Sequence, residues 1–411
     1  DSSQCITDNS FNFDNNTYIL TASSLDFYWD VGDGDTFHRP YVPLHTFLTI
    51  DSFFVELIVT TDSGCIDTYS RYAYTRPMPV SGFTIDDTAQ CLSANSFTFT
   101  DTSSILFGTL SQRWQFGDGD SSNSQNPTYS YSNDDTFTVR LIATSNHACR
   151  DTSYQTTYVW PMPEANYTIN DSLQCLFGNQ FSFTNSSSIT WGNLNYRWFT
   201  GDGDTMLSKD PVHSYSSSDT FLVKYYVISD LQCVDTLFKS VVVHPDPVVD
   251  FTINDSSQCL FGNSFGFNNT SSISSGALSY KWYLGDGDSS TSTNNTHSYA
   301  NTDTFPVQLI ATSTLNCIDT LLKYAYVHPM PIADFSIDDT IQCITGNLFQ
   351  FADSSTVASG NIDLFFWNYG NGDTSYAQNP AYTYTSYDTF TVKHVVTTDN
   401  GCKDSLNKSL I

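Results

Sequence analysis

Apolar and polar residues alternate over short stretches along the whole chain. In Phe137-Thr-Val139-Arg-Leu141-Ile-Ala143 every second side chain falls on one face, the period of a half-buried strand. Phe97 and Phe99 take the same two-residue step, as do Phe11/Phe13, Phe181/Phe183, Phe265/Phe267 and Phe349/Phe351. No window sustains the i, i+3, i+4, i+7 apolar spacing of an amphipathic helix. Trp114-Gln-Phe-Gly-Asp-Gly-Asp120 recurs after Trp29, Trp198 and Trp282, and with one Asp changed to Asn371 after Trp367. A large aromatic leading into Gly-x-Gly-Asp reads as a buried strand entering a tight turn, where glycine supplies positive φ. Five copies of one strand end predict five copies of one domain.

The rest of the chain keeps the same register. Cys5, Cys91, Cys175, Cys259 and Cys343 come early in each unit, and Cys65, Cys149, Cys233, Cys317 and Cys402 late, at a step of about 84 residues. Pro-x-Pro linkers recur at Pro77, Pro161, Pro245 and Pro329. The predicted repeats are 1–76, 77–160, 161–244, 245–328 and 329–411. Each reads as seven or so short strands, an antiparallel β-sandwich.

Composition narrows the function. The 411 residues are 39% hydrophobic with 30 Phe and 25 Tyr, enough for a core in each repeat. Against 43 Asp+Glu stand 15 Lys+Arg, a net charge of −28. That argues against nucleic acid and anionic membrane surfaces as partners, since both need cationic patches. No apolar run is long enough to insert into a membrane. Ten cysteines spaced singly, without Cys-x-x-Cys, favour disulfides and an oxidising compartment over zinc. The expected location is extracellular, at the cell surface or secreted.

Trp-x-x-Gly-Asp-Gly, Asn126-Pro127, His213-x-Tyr215 and Asp219-Thr220-Phe221-x-Val223 resemble the PKD (polycystic kidney disease) domain, an Ig-like sandwich. The resemblance covers the chain five times over and implies tandem all-β sandwiches in an elongated rod. The added Gln-Cys and Cys-x-Asp-Thr resemble PKD arrays in large secreted adhesins of gliding bacteria. It implies a non-enzymatic structural or adhesive shaft, self-associating into filaments or part of a longer array, meeting glycans or surfaces. The alternative is an accessory substrate- or carbohydrate-binding region of a secreted hydrolase. Asp1-Ser-Ser-Gln-Cys5 matches Asp255-Ser-Ser-Gln-Cys259, so the first repeat lacks the strand before its cysteine. The expectation is a window on a longer array, or a subunit whose first domain a neighbour's strand completes.

Two disulfide patterns fit the spacing. One joins the cysteines of a single repeat, such as Cys91–Cys149. The other follows from the sandwich: the polar turn after the first strand, ending Gln90-Cys91, lies at the far end, and the last hairpin points back to the near end. Those ends are roughly 25 Å apart, while a disulfide needs Cα atoms within about 7 Å. This favours Cys5–Cys149, Cys91–Cys233, Cys175–Cys317 and Cys259–Cys402, with Cys65 and Cys343 facing partners outside the five repeats.

Other chemistry is sparse. The oxygen-rich turns offer Asp118, Asp120, Asp202 and Asp204 to a hard cation such as calcium. The favoured reading is structural, with no cofactor: the first Asp caps turn amides and the second is solvated. The two Glu, Glu56 and Glu164, sit in different repeats, and no Ser-His-Asp set recurs, so no catalytic residues are assigned. His213 and His297 stand where Tyr129 and Tyr382 stand elsewhere, which reads as packing. Trp160 and Trp191 lie off the motif and are weak sugar-stacking candidates. Asp-Ser/Thr before an aliphatic residue resembles a bacterial O-glycosylation signal and marks Thr88, Ser172, Thr236, Thr320, Thr340 and Ser405.

Overall fold

A computed structural model describes residues 1–20 and 24–411. Among them every regular element is a strand, so no helix is available to cross a membrane. Five separate hydrophobic clusters form, each drawn from one repeat.

Residues 77–160 show the plan. Phe83–Ile85 opens the repeat and pairs antiparallel with Phe97–Asp101, which pairs in turn with Thr128–Tyr129. The facing sheet runs Ser121–Ser122, Leu110–Gln115, Asp135–Ser145, Arg150–Trp160 and Ala89–Cys91. Its centre is a long hairpin whose alternating face supplies Phe137, Val139, Leu141 and Val159 to the core. Opposite them pack Phe83, Phe97 and Phe99, while Trp114, fully buried, joins from the neighbouring strand of the same sheet, beside Leu141. Aromatic bulk thus fills the space between the sheets that longer aliphatic cores fill elsewhere.

The three residues Ala89–Cys91 form the one parallel pairing of the repeat, Cys91 lying opposite Trp160. Polar spacing made them read as the end of a turn; they are a strand that has crossed to the other sheet. The crossing sets the early cysteine beside the exit of the repeat. Residues 161–244 and 245–328 repeat this topology. In 329–411 the three-stranded sheet persists and the facing sheet has four strands, though Gln342 N still donates to Ile411 O at 3.1 Å.

Residues 1–76 differ. Ser3–Cys5 pairs with Ile66–Arg76 as Ala89–Cys91 does with its own last strand. Among the described residues no counterpart of Phe83–Ile85 lies beside them. The strand expected at Phe11 and Phe13 is a single bridge here, Phe11 to His45.

Candidate functional site at the junctions between repeats

The Gly-Asp-Gly-Asp turn is built from backbone geometry. Gly117 and Gly119 adopt φ of 96° and 110°, and a Cβ on Gly117 would lie 2.8 Å from Thr138 O. Only glycine fits there. Asp118 Oδ1 accepts the Asp120 amide at 3.1 Å, as expected of a capping carboxylate.

The rest of the turn departs from expectation. Tyr129 Oη donates to Asp118 Oδ2 at 2.6 Å and to Asp120 Oδ2 at 2.8 Å, so Asp120 is not simply solvated. Burial first, then both carboxylates, push the Tyr129 hydroxyl far above the ordinary phenol range. In residues 329–411 the Asn371 amide donates to Tyr382 Oη at 2.7 Å while that hydroxyl donates to Asp373. Where histidine replaces tyrosine, its Nε2 meets the first carboxylate: His213 with Asp202 at 2.7 Å and His297 with Asp286 at 2.6 Å. Both rings also pack edge-on against Tyr215 and Tyr299, so packing is half of their role. Burial pushes the Asp202 carboxyl up, but hydrogen bonds from Thr200 and His213 outweigh it and hold the group below the ordinary range. Asp202, Asp204 and His213 bring three potential ligand atoms within 4.8 Å of one another, as do the matching groups at His45 and His297. In residues 77–160 the Tyr129 hydroxyl occupies that position instead.

The junctions hold the covalent chemistry. The structure bonds Cys5 to Cys149, Cys91 to Cys233, Cys175 to Cys317 and Cys259 to Cys402, with Cα separations of 5.5–5.6 Å. These are the inter-repeat pairs that strand direction favoured, and none closes within a repeat. At each late cysteine the preceding residue turns the hairpin: Ala148, Gln232 and Asn316 have φ near 65°. Cys149, Cys233, Cys317 and Cys402 are each 1% exposed, whereas Cys65 and Cys343, the two that form no disulfide among the described residues, are exposed. Each buried late cysteine is bonded to the early cysteine of the repeat before it.

The peptide linkers run alongside. Pro79, Pro163, Pro247 and Pro331 are buried, so the Pro-x-Pro segments pack instead of dangling, with φ already fixed by the rings. At 160–164, Trp160 and Trp191 meet across the junction, ring centroids 5.7 Å apart at 78°. Trp191 remains 47% exposed. Beside it Thr190 Oγ1 donates to Asp134 Oδ2 at 3.4 Å.

Sequence reading missed two anchors. Asn95 Nδ2 donates to Tyr131 O at 2.8 Å and its Oδ1 accepts Tyr131 N at 2.7 Å. Asn9, Asn179, Asn263 and Asn347 hold the same buried place; their signal was an Asn four residues after every early cysteine. The second anchor is the Asp of Cys-x-Asp-Thr. Asp151, Asp235, Asp319 and Asp404 accept the amides of Ser81, Ala165, Val249 and Ala333, pinning each opening strand to the last hairpin. Half of the Asp-Ser/Thr motif thus has a structural task, while Thr236, Thr320 and Ser405 beside it, and Thr88, Ser172 and Thr340 elsewhere, are exposed.

A family model described as PKD domain matches residues 74–161, 244–325 and 328–410. Among solved structures, the PKD1 domain of Vibrio anguillarum Epp is 29% identical, covering 20% of this chain and 93% of its own, with a TM-score of 0.18. The PKD1 domain of the Vibrio cholerae metalloprotease PrtV is 28% identical over 20% of this chain and 94% of its own, also at 0.18. The eight N-terminal Ig domains of Down Syndrome Cell Adhesion Molecule are 9% identical, covering 95% of this chain and 64% of that one, at 0.32. No curated protein matches the chain. With the family model spanning well over half of its length and the same sandwich recurring throughout, the chain belongs to the PKD domain family as a tandem array.

Proposed function

We propose that this array is a non-enzymatic, extracellular structural or adhesive protein, a shaft that holds attached parts at a fixed distance. The observation that carries the reading is the disulfide across every internal junction. Such bonds persist in oxidising surroundings. They spend covalent chemistry on the relation between neighbouring domains, where a set of independent binding modules would gain nothing from it. Linker and disulfide leave the exit of one repeat from paired strands, Cys91 opposite Trp160, so each junction is tied at two neighbouring points. Two ties resist bending that a single linker permits.

Further repeats of the same kind, in cis or from a second copy, are the proposed partners of Cys65 and Cys343. The exposed hydroxyls at Thr88, Ser172, Thr236, Thr320, Thr340 and Ser405 are the proposed O-glycan sites, to be tested by intact-glycopeptide mass spectrometry. Immunogold labelling of intact producing cells tests the main reading. Label on surface projections is expected; label only after permeabilisation would overturn it. Recovery of the chain solely as part of a polypeptide with a catalytic domain would favour the hydrolase-accessory alternative.

A further inference from the structure

We infer that the disulfide ladder makes the array a strain-limited tether, whose length under load is capped by covalent bonds even when its domains unfold. The inference rests on the shaft reading for its use, but its evidence is connectivity alone.

Each bond spans 142–144 residues of sequence and reaches into the next repeat, so successive bonds interleave. A pull between residues 1 and 411 therefore need not travel along the backbone. One route crosses Cys5–Cys149, follows the chain to Cys175, crosses to Cys317, returns to Cys259 and crosses to Cys402. It contains only about 97 peptide steps, which draw out to about 350 Å at 3.3–3.6 Å per residue. The reduced backbone would reach about 1,500 Å on the same scale.

The folded array sets the other bound. A hairpin strand of 11 residues spans about 35 Å, so five repeats end to end measure about 180 Å. The oxidised chain can thus lengthen by about 170 Å in total. One reduced repeat alone would release about 250 Å on unfolding. No repeat of the oxidised array can give up its full length.

The ladder is also redundant at its centre. A second route runs from Cys149 back to Cys91, across to Cys233 and on to Cys259, and it has the same length as the first. Loss of either central bond leaves the other route intact. Loss of the terminal bond Cys5–Cys149 removes both, and the next route is longer by about 28 peptide steps, or about 100 Å.

Single-molecule force spectroscopy on the whole chain, with handles at residues 1 and 411, tests this. The oxidised protein is expected to reach a ceiling near 350 Å without steps of 250 Å, and the reduced protein to show such steps. The double variant C91S/C233S is expected to keep the oxidised ceiling, and C5S/C149S to raise it by about 100 Å. Steps of 250 Å in the oxidised chain, or a ceiling that moves equally in both variants, would overturn the inference. Absence of the protein from the cell surface would defeat the shaft reading and leave this result untouched.

Discussion

Among the described residues, the first repeat and the later repeats share a sequence pattern and differ by one strand. In residues 161–244, 245–328 and 329–411 the opening strand sets Tyr167, Phe251 or Phe335 edge-on against the core tryptophan at 4.9–5.1 Å. Lys239, Lys323 and Lys408 reach over these rings and donate to their backbone carbonyls. In the first repeat none of the described residues takes that place. Tyr69 is 61% exposed and Arg71 Nε turns to Tyr69 Oη at 2.6 Å, while Asp67 accepts only the next amide, that of Thr68, at 2.9 Å. Trp29 is 5% exposed and its indole N–H has no partner among the described residues, whereas Trp114 donates to Ser124 O at 2.9 Å. The five-stranded sheet survives all this. In the repeats that carry it, the opening strand thus seals the aromatic core and is anchored to the last hairpin.

The sharpest way to break that contrast is Phe251→Ala. The ring is fully buried between Phe267 and Trp282, and its loss should cost about 3–5 kcal/mol. The damage should be confined to residues 245–328 and resolved by hydrogen exchange at Leu278–Tyr283. Equal protection in wild type and variant would mean that the opening strand adds nothing to the core.

Alkali separates the repeats by a different residue. Tyr131 donates to Phe116 O at 2.8 Å in the core, and burial pushes its hydroxyl up to about 12. Tyr215, Tyr299 and Tyr384 are raised in the same way, while the first repeat has Phe47 at this position. A raised pKa means that the neutral form is favoured in the fold. Its stabilisation is complete below pH 10 and falls as pH rises towards 12, by about 3 kcal/mol for two units. Rapid pH-jump exchange experiments should show 77–160 weakening in that window and 1–76 unaffected by this cause. Parallel loss in both repeats would assign alkaline unfolding to something else.

A smaller test is Asp235→Ala, expected to cost about 2 kcal/mol, the range for a hydrogen bond to a charged group. Amides of Tyr167–Ile169 should lose protection, and Asp67→Ala in the open repeat should change nothing comparable. This anchor also shows where sequence reading stopped. The aromatic period, the constant step and the direction of the strands were legible, because burial and chain direction leave marks on spacing, and they placed all four disulfides. Asp235 looked like half of a glycosylation motif because its partner is a backbone amide of another strand, which carries no residue identity. Ala89–Cys91 looked like a turn because three residues are too few to show a period. Asn95 was visible at a fixed distance from Cys91, but a buried amide that clamps a distant loop resembles any surface Asn until the loop is placed.

The smallest effect concerns the acidic turns. Tyrosine repeats close the Asp pair with a neutral hydroxyl, and histidine repeats leave Asp204 with its side chain 72% exposed and 4.0 Å from His213 Nδ1. The depressed Asp202 carboxyl stabilises its repeat above the unfolded carboxylate value near 4, and that contribution is lost as pH falls further through the folded pKa. His213→Tyr would reproduce the geometry of Tyr129 and should alter stability at neutral pH by less than about 1 kcal/mol, while shifting the acid limb of residues 161–244 alone. The same pair of proteins tests calcium, because a cation held by Asp202, Asp204 and His213 would be displaced by the tyrosine hydroxyl. Melting temperatures unchanged by chelator in both proteins are expected, and they would leave the turns with a structural role. A drop in wild type that His213→Tyr abolishes would make the histidine turns cation sites, and the difference between the two kinds of repeat would then be one of chemistry as well as packing.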